Sequence, residues 1–214
     1  KEKGFAPDSD FDVENLVEEK GRIRMVLPKT TNYQIGLVLR EGDLLSELNK
    51  EVKHGNFDIV IMGSPHRKRM TNKISQFLDT SIFFVKNFNP NWNYKILLCV
   101  DDSRATKRAV ILSTRISKQF DAEITSLTVS KTSLFGKGYR NAHIWAERYL
   151  QRIGIPFNSK LLSGNPVEVF VNEAGEDHII IMGKAKGNEF LKFIWGSKPI
   201  HTAQRANCPV LLVN

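Results

Sequence analysis

From Lys95 to the end of the chain, short apolar runs alternate with segments of helical periodicity. Each run has the length of a buried strand, and each is followed by turn residues or a helix signal. The alternation predicts the order βαβαβαβαβ and an α/β fold: an open, mostly parallel five-stranded sheet, Rossmann-like, with helices on both faces. The predicted strands are Lys95–Asp101, Glu123–Val129, Phe157–Leu162, His178–Met182 and Pro209–Val213.

Local signals place the helices between these strands. Ser103 is a candidate N-cap for a helix that continues to about Gln119, and Gly154 ends the next helix. Pro166 suits the first turn of a third helix. In a sheet of this kind, ligands bind beyond the carboxyl ends of the strands, where the strand order reverses.

The first part of the chain repeats the second half of this plan. Phe57–Gly63 (FDIVIMG) parallels Asp177–Gly183 (DHIIIMG), and Arg40–Asp43 (REGD) parallels Leu162–Asn165 (LSGN), each at a separation close to 120 residues. The repeat predicts two tandem copies, of which the first lacks its opening strand and helix. The predicted division is an incomplete domain over 1–88, a linker over 89–94 and a complete domain over 95–214.

In the first copy, Gln34–Arg40 is a predicted strand, a helix follows from about Leu44 to Lys53, and Arg22–Leu27 is one further possible strand. Asp58–Met62 and Ser81–Val85 are predicted strands, with a helix between them that ends near Leu78.

Composition limits the partners and the compartment. The net charge of +8 favours polyanions, but the basic residues are scattered along the sequence, so we expect no specific nucleic-acid partner. No run approaches 18 apolar residues, so no membrane span is expected. Cys99 and Cys208 lie in apolar runs, which predicts buried free thiols and a cytoplasmic location.

A glycine-containing loop follows the strand Ile179–Met182 and extends from Gly183 to Ser197. Glycines let a backbone approach phosphates closely, and a helix N-terminus adds partial positive charge. Lys184 and Lys186 could add charge to the phosphates, and the Ser197 hydroxyl could bind phosphate. The alternative is structural: Gly183 forms a tight turn and Ser197 caps a helix.

The segment Ile179–Val213 resembles the universal stress protein family. Gly183, Gly196-Ser197 and Cys208-Pro209-Val210 match the family's spacing, and Val100-Asp101-x-Ser103 matches its first strand and turn. The middle glycine of the family pattern falls on Lys186, and Gly187 comes one residue late.

The resemblance implies a regulatory stress-response protein that binds an adenine nucleotide, ATP with Mg²⁺ or AMP, in the second copy. It assigns the nucleotide to Asp101, Val129, Gly183, Lys186, Gly187, Gly196 and Ser197. It also implies that the two copies pair through their last strands as a pseudo-dimer and that a homodimer can form. For Asp101, the alternative is a structural aspartate that caps the following helix.

Two other interpretations stay open. The chain could be an interaction module without nucleotide, such as the cytoplasmic tail of a membrane transporter, because family domains occur fused to transporters. It could also be a slow ATP hydrolase, although no water-activating base, metal-type spacing or P-loop is visible. No catalytic residue is therefore assigned.

Overall fold

The structure is a computed structural model that describes residues 16–19, 22–26, 36–63, 68–89, 91–132, 134–184 and 198–214. The chain divides into two compact units, and the division falls between Glu47 and Leu48. No helix in the described ranges has both the length and the apolar character that crossing a membrane requires.

The first unit contains a three-stranded antiparallel sheet. Its strands are β1 (Leu16–Glu19), β2 (Arg22–Val26) and β3 (Gly36–Leu39), in the order β1-β2-β3. Strands β2 and β3 confirm the two strands predicted here, whereas β1 was not predicted. Helix α1 (Leu44–Gly55) begins in this unit, where the Ser46 amide donates to Asp43 Oδ2 at 3.0 Å.

The second unit is built on a seven-stranded sheet in the order β4-β5-β10-β9-β6-β7-β8. Its elements are β4 (Ile59–Gly63), α2 (Lys68–Phe77), β5 (Ser81–Val85), β6 (Lys95–Val100), α3 (Arg104–Phe120), β7 (Ile124–Ser130), α4 (Lys137–Ile153), β8 (Phe157–Ser163), α5 (Pro166–Ala174), β9 (His178–Gly183), α6 (Lys198–Arg205) and β10 (Val210–Val213).

The α/β prediction is confirmed, and the five strands after Lys95 are parallel neighbours in the order β10-β9-β6-β7-β8. The predicted count of five strands is too low for the sheet as a whole. Strand β5 pairs antiparallel with β10, so β4 and β5 continue the same sheet to seven strands. This pairing joins the two predicted last strands. Strand β3, predicted from the same part of the chain, belongs instead to the three-stranded sheet.

Alternation along β6 separates the two faces of the sheet. Ile96, Leu98 and Val100 belong to a buried cluster that includes Ala109 of α3 and Leu150 of α4. Cys99 points to the opposite face, because neighbouring strand residues alternate. Helix α5 packs on that opposite face and against α6. The strand order reverses at β6, which lies between β7 and β9, so the carboxyl ends of these three strands surround the expected ligand position.

Candidate functional site

A small cavity lies at the carboxyl ends of β6, β7 and β9. Asp101, Val129 and Gly183, three of the predicted site residues, line it together. They come from positions up to 82 residues apart in the sequence, and the parallel sheet brings them to one edge. The other described residues that line the cavity are Cys99, Val100, Tyr139, Pro166, Phe170, Met182, Lys198 and Pro199.

Asp101 holds the turn between β6 and α3. Its Oδ1 accepts a hydrogen bond from the Ser103 amide at 3.0 Å and another from the Thr106 hydroxyl. Ser103 is the N-cap of α3, as predicted, and its hydroxyl accepts from the Thr106 amide at 3.3 Å. The geometry therefore supports the structural alternative for Asp101. Because Asp101 also lines the cavity, its carboxylate can face a ligand at the same time.

Val129 lies one residue before the end of β7, which extends to Ser130, whereas the prediction ended this strand at Val129. Its side chain is 3% exposed. The Ser130 carbonyl accepts a hydrogen bond from the Gly164 amide at 2.8 Å. Strands β7 and β8 therefore end side by side at the cavity edge.

Gly183 ends β9 against the first turn of α3. A Cβ atom at this position would lie 2.7 Å from the Ala105 carbonyl carbon and 2.7 Å from the Thr106 nitrogen. Real Cβ atoms do not approach backbone this closely, so helix–strand packing alone requires glycine here. This packing requirement explains Gly183 without a phosphate, through contact with α3 rather than through the tight turn of the structural alternative.

Two side chains close the cavity from outside the sheet. The Lys198 ammonium, at the start of α6, donates to the Tyr139 hydroxyl at 3.3 Å. The same ammonium lies 5.7 Å from the Tyr139 ring centroid, a cation–π distance. With this contact formed, the cavity has a volume of about 20 Å³. That is room for about one water molecule.

A larger cleft adjoins the cavity and shares Pro166 and Lys198 with it. Its volume is about 610 Å³, which falls within the range of small-molecule sites. Lys131, Lys198 and His201 bring basic side chains to its lining. The remaining lining comes from Gly164 to Val167, at the N-terminus of α5, where the Asn165 side chain caps the Val167 amide at 3.1 Å.

Lys184, which the sequence suggested as a phosphate contact, is hydrogen-bonded elsewhere in the structure. The Lys184 ammonium donates to the Leu78 carbonyl, at the end of α2, and the side chain is buried. Lys184 contributes to the lining of neither the cavity nor the cleft. The buried carbonyl at the helix end competes for this lysine because each needs a partner once water is excluded.

The two thiols are neutral core groups, as the sequence predicts. Burial, with a smaller contribution from the nearby Asp101 charge, raises the pKa of Cys99 well above its usual value. Burial also raises the pKa of Cys208 to about 11. Cys99 therefore presents an uncharged thiol to the cavity, and both cysteines are free.

Lys186, Gly187, Gly196 and Ser197 lie outside the described residues. Sequence reasoning missed five polar side chains that the structure places at the site: Tyr139, Lys198, Lys131, Asn165 and His201. A signal for two of them was present. Lys131 and Asn165 each lie within three residues of the end of a predicted parallel strand, and the carboxyl ends of such strands share one edge of the sheet.

No protein-family model and no curated protein sequence matches this chain. Solved structures do match. A universal stress protein from Archaeoglobus fulgidus DSM 4304 aligns with 81% of this chain at a TM-score of 0.66 and 19% identity. A functionally unknown protein from Pseudomonas aeruginosa PAO1 aligns with 81% of it at a TM-score of 0.57 and 14% identity.

This chain has the universal stress protein fold. The resemblance read from the glycine spacing is confirmed at the level of the fold. The alignment spans 66% of the length of the Archaeoglobus protein, just under two thirds.

Proposed function

We propose that this chain is a regulatory protein of the universal stress type that binds an adenine nucleotide, AMP or ATP, at the carboxyl edge of β6, β7 and β9. The observation that carries the proposal is the meeting of Asp101, Val129 and Gly183 in one cavity. The family resemblance assigned these residues to the nucleotide from the sequence, and the proposal is further supported by the universal stress protein fold of the chain. The proposal also places the chain in the cytoplasm, where adenine nucleotides are abundant.

The nucleotide needs more space than the cavity offers when closed. At about 20 Å³ the cavity holds a water molecule, whereas the adjoining cleft measures about 610 Å³. Lys198 lines both, so the nucleoside enters the cavity when Lys198 moves away from the Tyr139 hydroxyl. Phosphates directed into the cleft then meet Lys131 and Lys198, whose positive charge favours an anion, and the His201 ring lies beside them.

Isothermal titration with AMP, and with ATP plus Mg²⁺, tests the proposal. Asp101→Asn keeps an oxygen for the Ser103 amide and the Thr106 hydroxyl but removes the negative charge that faces the ligand. We expect it to weaken binding about tenfold to a hundredfold, the value of a hydrogen bond to a charged group. Asp102→Asn, at the exposed neighbouring carboxylate, is the matched control and leaves the affinity unchanged.

Two results would defeat this proposal. One is the absence of binding heat with either nucleotide in the wild-type protein. The other is equal affinity in Asp101→Asn and the wild type, which would remove the cavity as the nucleoside site. Gly196→Val probes the loop separately, and we expect it to lower affinity for ATP more than for AMP, because the loop is assigned to the phosphates.

We further propose that the two sequence copies form a pseudo-dimer with one nucleotide site per chain. The strand pairing of β5 with β10 supports this arrangement. Four residues, 64–67, lie between β4 and the next described element, α2, whereas fourteen, 184–197, lie between β9 and the next described element, α6. The first copy thus lacks most of the length that the phosphate loop occupies in the second. The same titration measures the number of nucleotide sites, and we expect a stoichiometry of one nucleotide per chain.

A further inference from the structure

Helices α3 and α4 carry the whole net charge of the chain. They contain nine Lys and Arg side chains and one acidic side chain, Glu147. The chain has 31 Lys and Arg against 23 Asp and Glu, so the remaining 22 of each sign cancel. The nine cations are Arg104, Lys107, Arg108, Arg115, Lys118, Lys137, Arg140, Arg148 and Arg152.

The fold places these cations on one surface. Both helices cover the same face of the seven-stranded sheet and contact each other, because Ala109 of α3 and Leu150 of α4 share one buried cluster. Lys107 crosses from α3 to lie 5.5 Å from the Trp145 ring centroid on α4. In the sequence the same cations form two separate groups with β7 between them. We call this surface the α3–α4 face.

All nine cations are exposed, and within the described part of the chain none forms an ion pair with Asp or Glu. Glu147 is half-buried, and its carboxylate lies 3.4 Å from His143 Nε2. The acidic residues next to α3 in the sequence, Asp102 and Asp121, lie at its two ends. The middle of the face is therefore uniformly positive.

Two cations are held in place by stacked aromatic rings. Trp145 and Tyr149 lie one turn apart on α4, with ring centroids 5.4 Å apart. Lys107 lies over the first ring, and the Arg152 guanidinium lies 5.5 Å from the centroid of the second. Cation–π contacts of this kind reduce the side-chain freedom that binding would otherwise remove.

We propose that the α3–α4 face binds the phosphate backbone of duplex nucleic acid without sequence preference. Each helix has 17 residues and is about 25 Å long. Duplex DNA presents about one phosphate charge per 1.7 Å of axis, so the face meets more than enough phosphates to engage every cation. Six of the nine cations are arginines, which bind phosphate oxygens in a bidentate manner.

An anionic membrane fits the face less well. Surface binding to lipid requires apolar side chains that enter the bilayer between the cations. The aromatic pair Trp145 and Tyr149 is half-buried beneath cations instead. The large apolar side chains exposed on these helices are Ile144, at 43%, and Phe120, at 73%, the last residue of α3.

The test is fluorescence anisotropy with a labelled 20-base-pair duplex at salt concentrations from 50 to 200 mM. If six to nine phosphates are engaged, log K falls against log salt with a slope of about −5 to −8. The variant Arg108→Gln, Arg115→Gln and Arg148→Gln flattens this slope by about 3, because each lost phosphate contact removes about one unit. The corresponding three Arg→Lys changes retain the slope.

The matched control neutralises the same number of exposed cations elsewhere, with Lys53→Gln, Lys73→Gln and Lys160→Gln, and leaves the slope unchanged. An unchanged slope in the arginine variant, or an equal loss in the control, overturns the proposal. So does the absence of duplex binding, and sedimentation on vesicles of phosphatidylserine would then assign the face to an anionic membrane instead. The thermal unfolding midpoint of each variant confirms that it is folded, since all six positions are exposed.

Discussion

Gly183 ends β9 where there is no room for a side chain. A Cβ atom there would lie 2.7 Å from backbone atoms of Ala105 and Thr106. Its counterpart in the first copy is Gly63, at the end of β4, where an added Cβ atom would meet nothing within 4 Å. The two glycines occupy equivalent positions in the sequence repeat, yet α3 packs against one of them alone.

Alanine at these two positions should therefore change stability in opposite directions. We expect Gly183→Ala to lower the free energy of unfolding by about 1–3 kcal/mol, because backbone must move to accept the methyl group. Gly63→Ala is expected to raise it by about 0.4–1 kcal/mol, since alanine loses less conformational freedom on folding. Urea unfolding measures both. Equal losses in the two variants would show that Gly183 is not constrained by α3.

This pair shows what sequence can and cannot provide at a single residue. The spacing of Gly183 before Gly196-Ser197 predicted a phosphate loop. The contact that explains Gly183, with Ala105 and Thr106, joins residues almost 80 positions apart, and no local pattern encodes it. Asp101 is similar: its place at a strand end was predictable, whereas its bond to the Thr106 hydroxyl required the helix geometry.

Two lysines cap helices across the β5–β10 boundary. Lys86, which follows β5, donates from Nζ to the Ala206 carbonyl at the end of α6, at 2.7 Å. Lys184, which follows β9, donates to the Leu78 carbonyl at the end of α2. Both cations thus lie at helix C-termini, where backbone carbonyls lack partners and the helix dipole favours positive charge.

Removing one of these lysine caps should lower the stability of the protein measurably. We expect Lys86→Met to lower the free energy of unfolding by about 1–2 kcal/mol, through the loss of a charged hydrogen bond at the end of α6. The control is Lys95→Met, because Lys95 is half exposed and lies 3.7 Å from Asp177, and it should cost less than about 0.5 kcal/mol. Urea unfolding compares the free energies of unfolding of the two variants. Equal effects would mean that the cap adds nothing.

The positions of the helices and strands were more predictable than the pairing of the strands. The pattern of apolar runs gave nearly all strands and helices of the second unit to within a few residues, because period and turn signals are local. Strand β1 was missed, since Leu16–Glu19 has two apolar and then two acidic residues and no period of two. Strand β3 was predicted, but its antiparallel pairing with the preceding strand β2 was not, because the repeat grouped β3 with the parallel strands of the first copy.

Folding brings together residues and strands that are far apart in the sequence. Basic residues that look scattered along the chain become the α3–α4 face, because two helices separated by β7 pack side by side. Strands β5 and β10, more than 120 residues apart, become neighbours. Topology decides which charges share a surface and which strands pair, so neither can be inferred from composition alone.

The β5–β10 boundary lies within the second compact unit and joins segments from the two predicted copies. Ile82 lies directly opposite Leu212 across it, and both side chains are fully buried. Cross-strand neighbours of this kind interact by about 0.2–1 kcal/mol beyond their separate burial. If the boundary is part of the cooperative core, the effects of changing the two residues depend on each other.

A double-mutant cycle with Ile82→Ala and Leu212→Ala measures this coupling in the full chain. We expect each change to cost about 2–5 kcal/mol, and the pair to deviate from additivity by about 0.5 kcal/mol or more. The control cycle pairs Ile82→Ala with Ile124→Ala in β7, four strands away in the sheet and equally buried. At about 4.8 Å per strand this separation is about 19 Å, so the control should be additive. Additivity in both cycles would mean that the copies fold independently and only touch at this boundary.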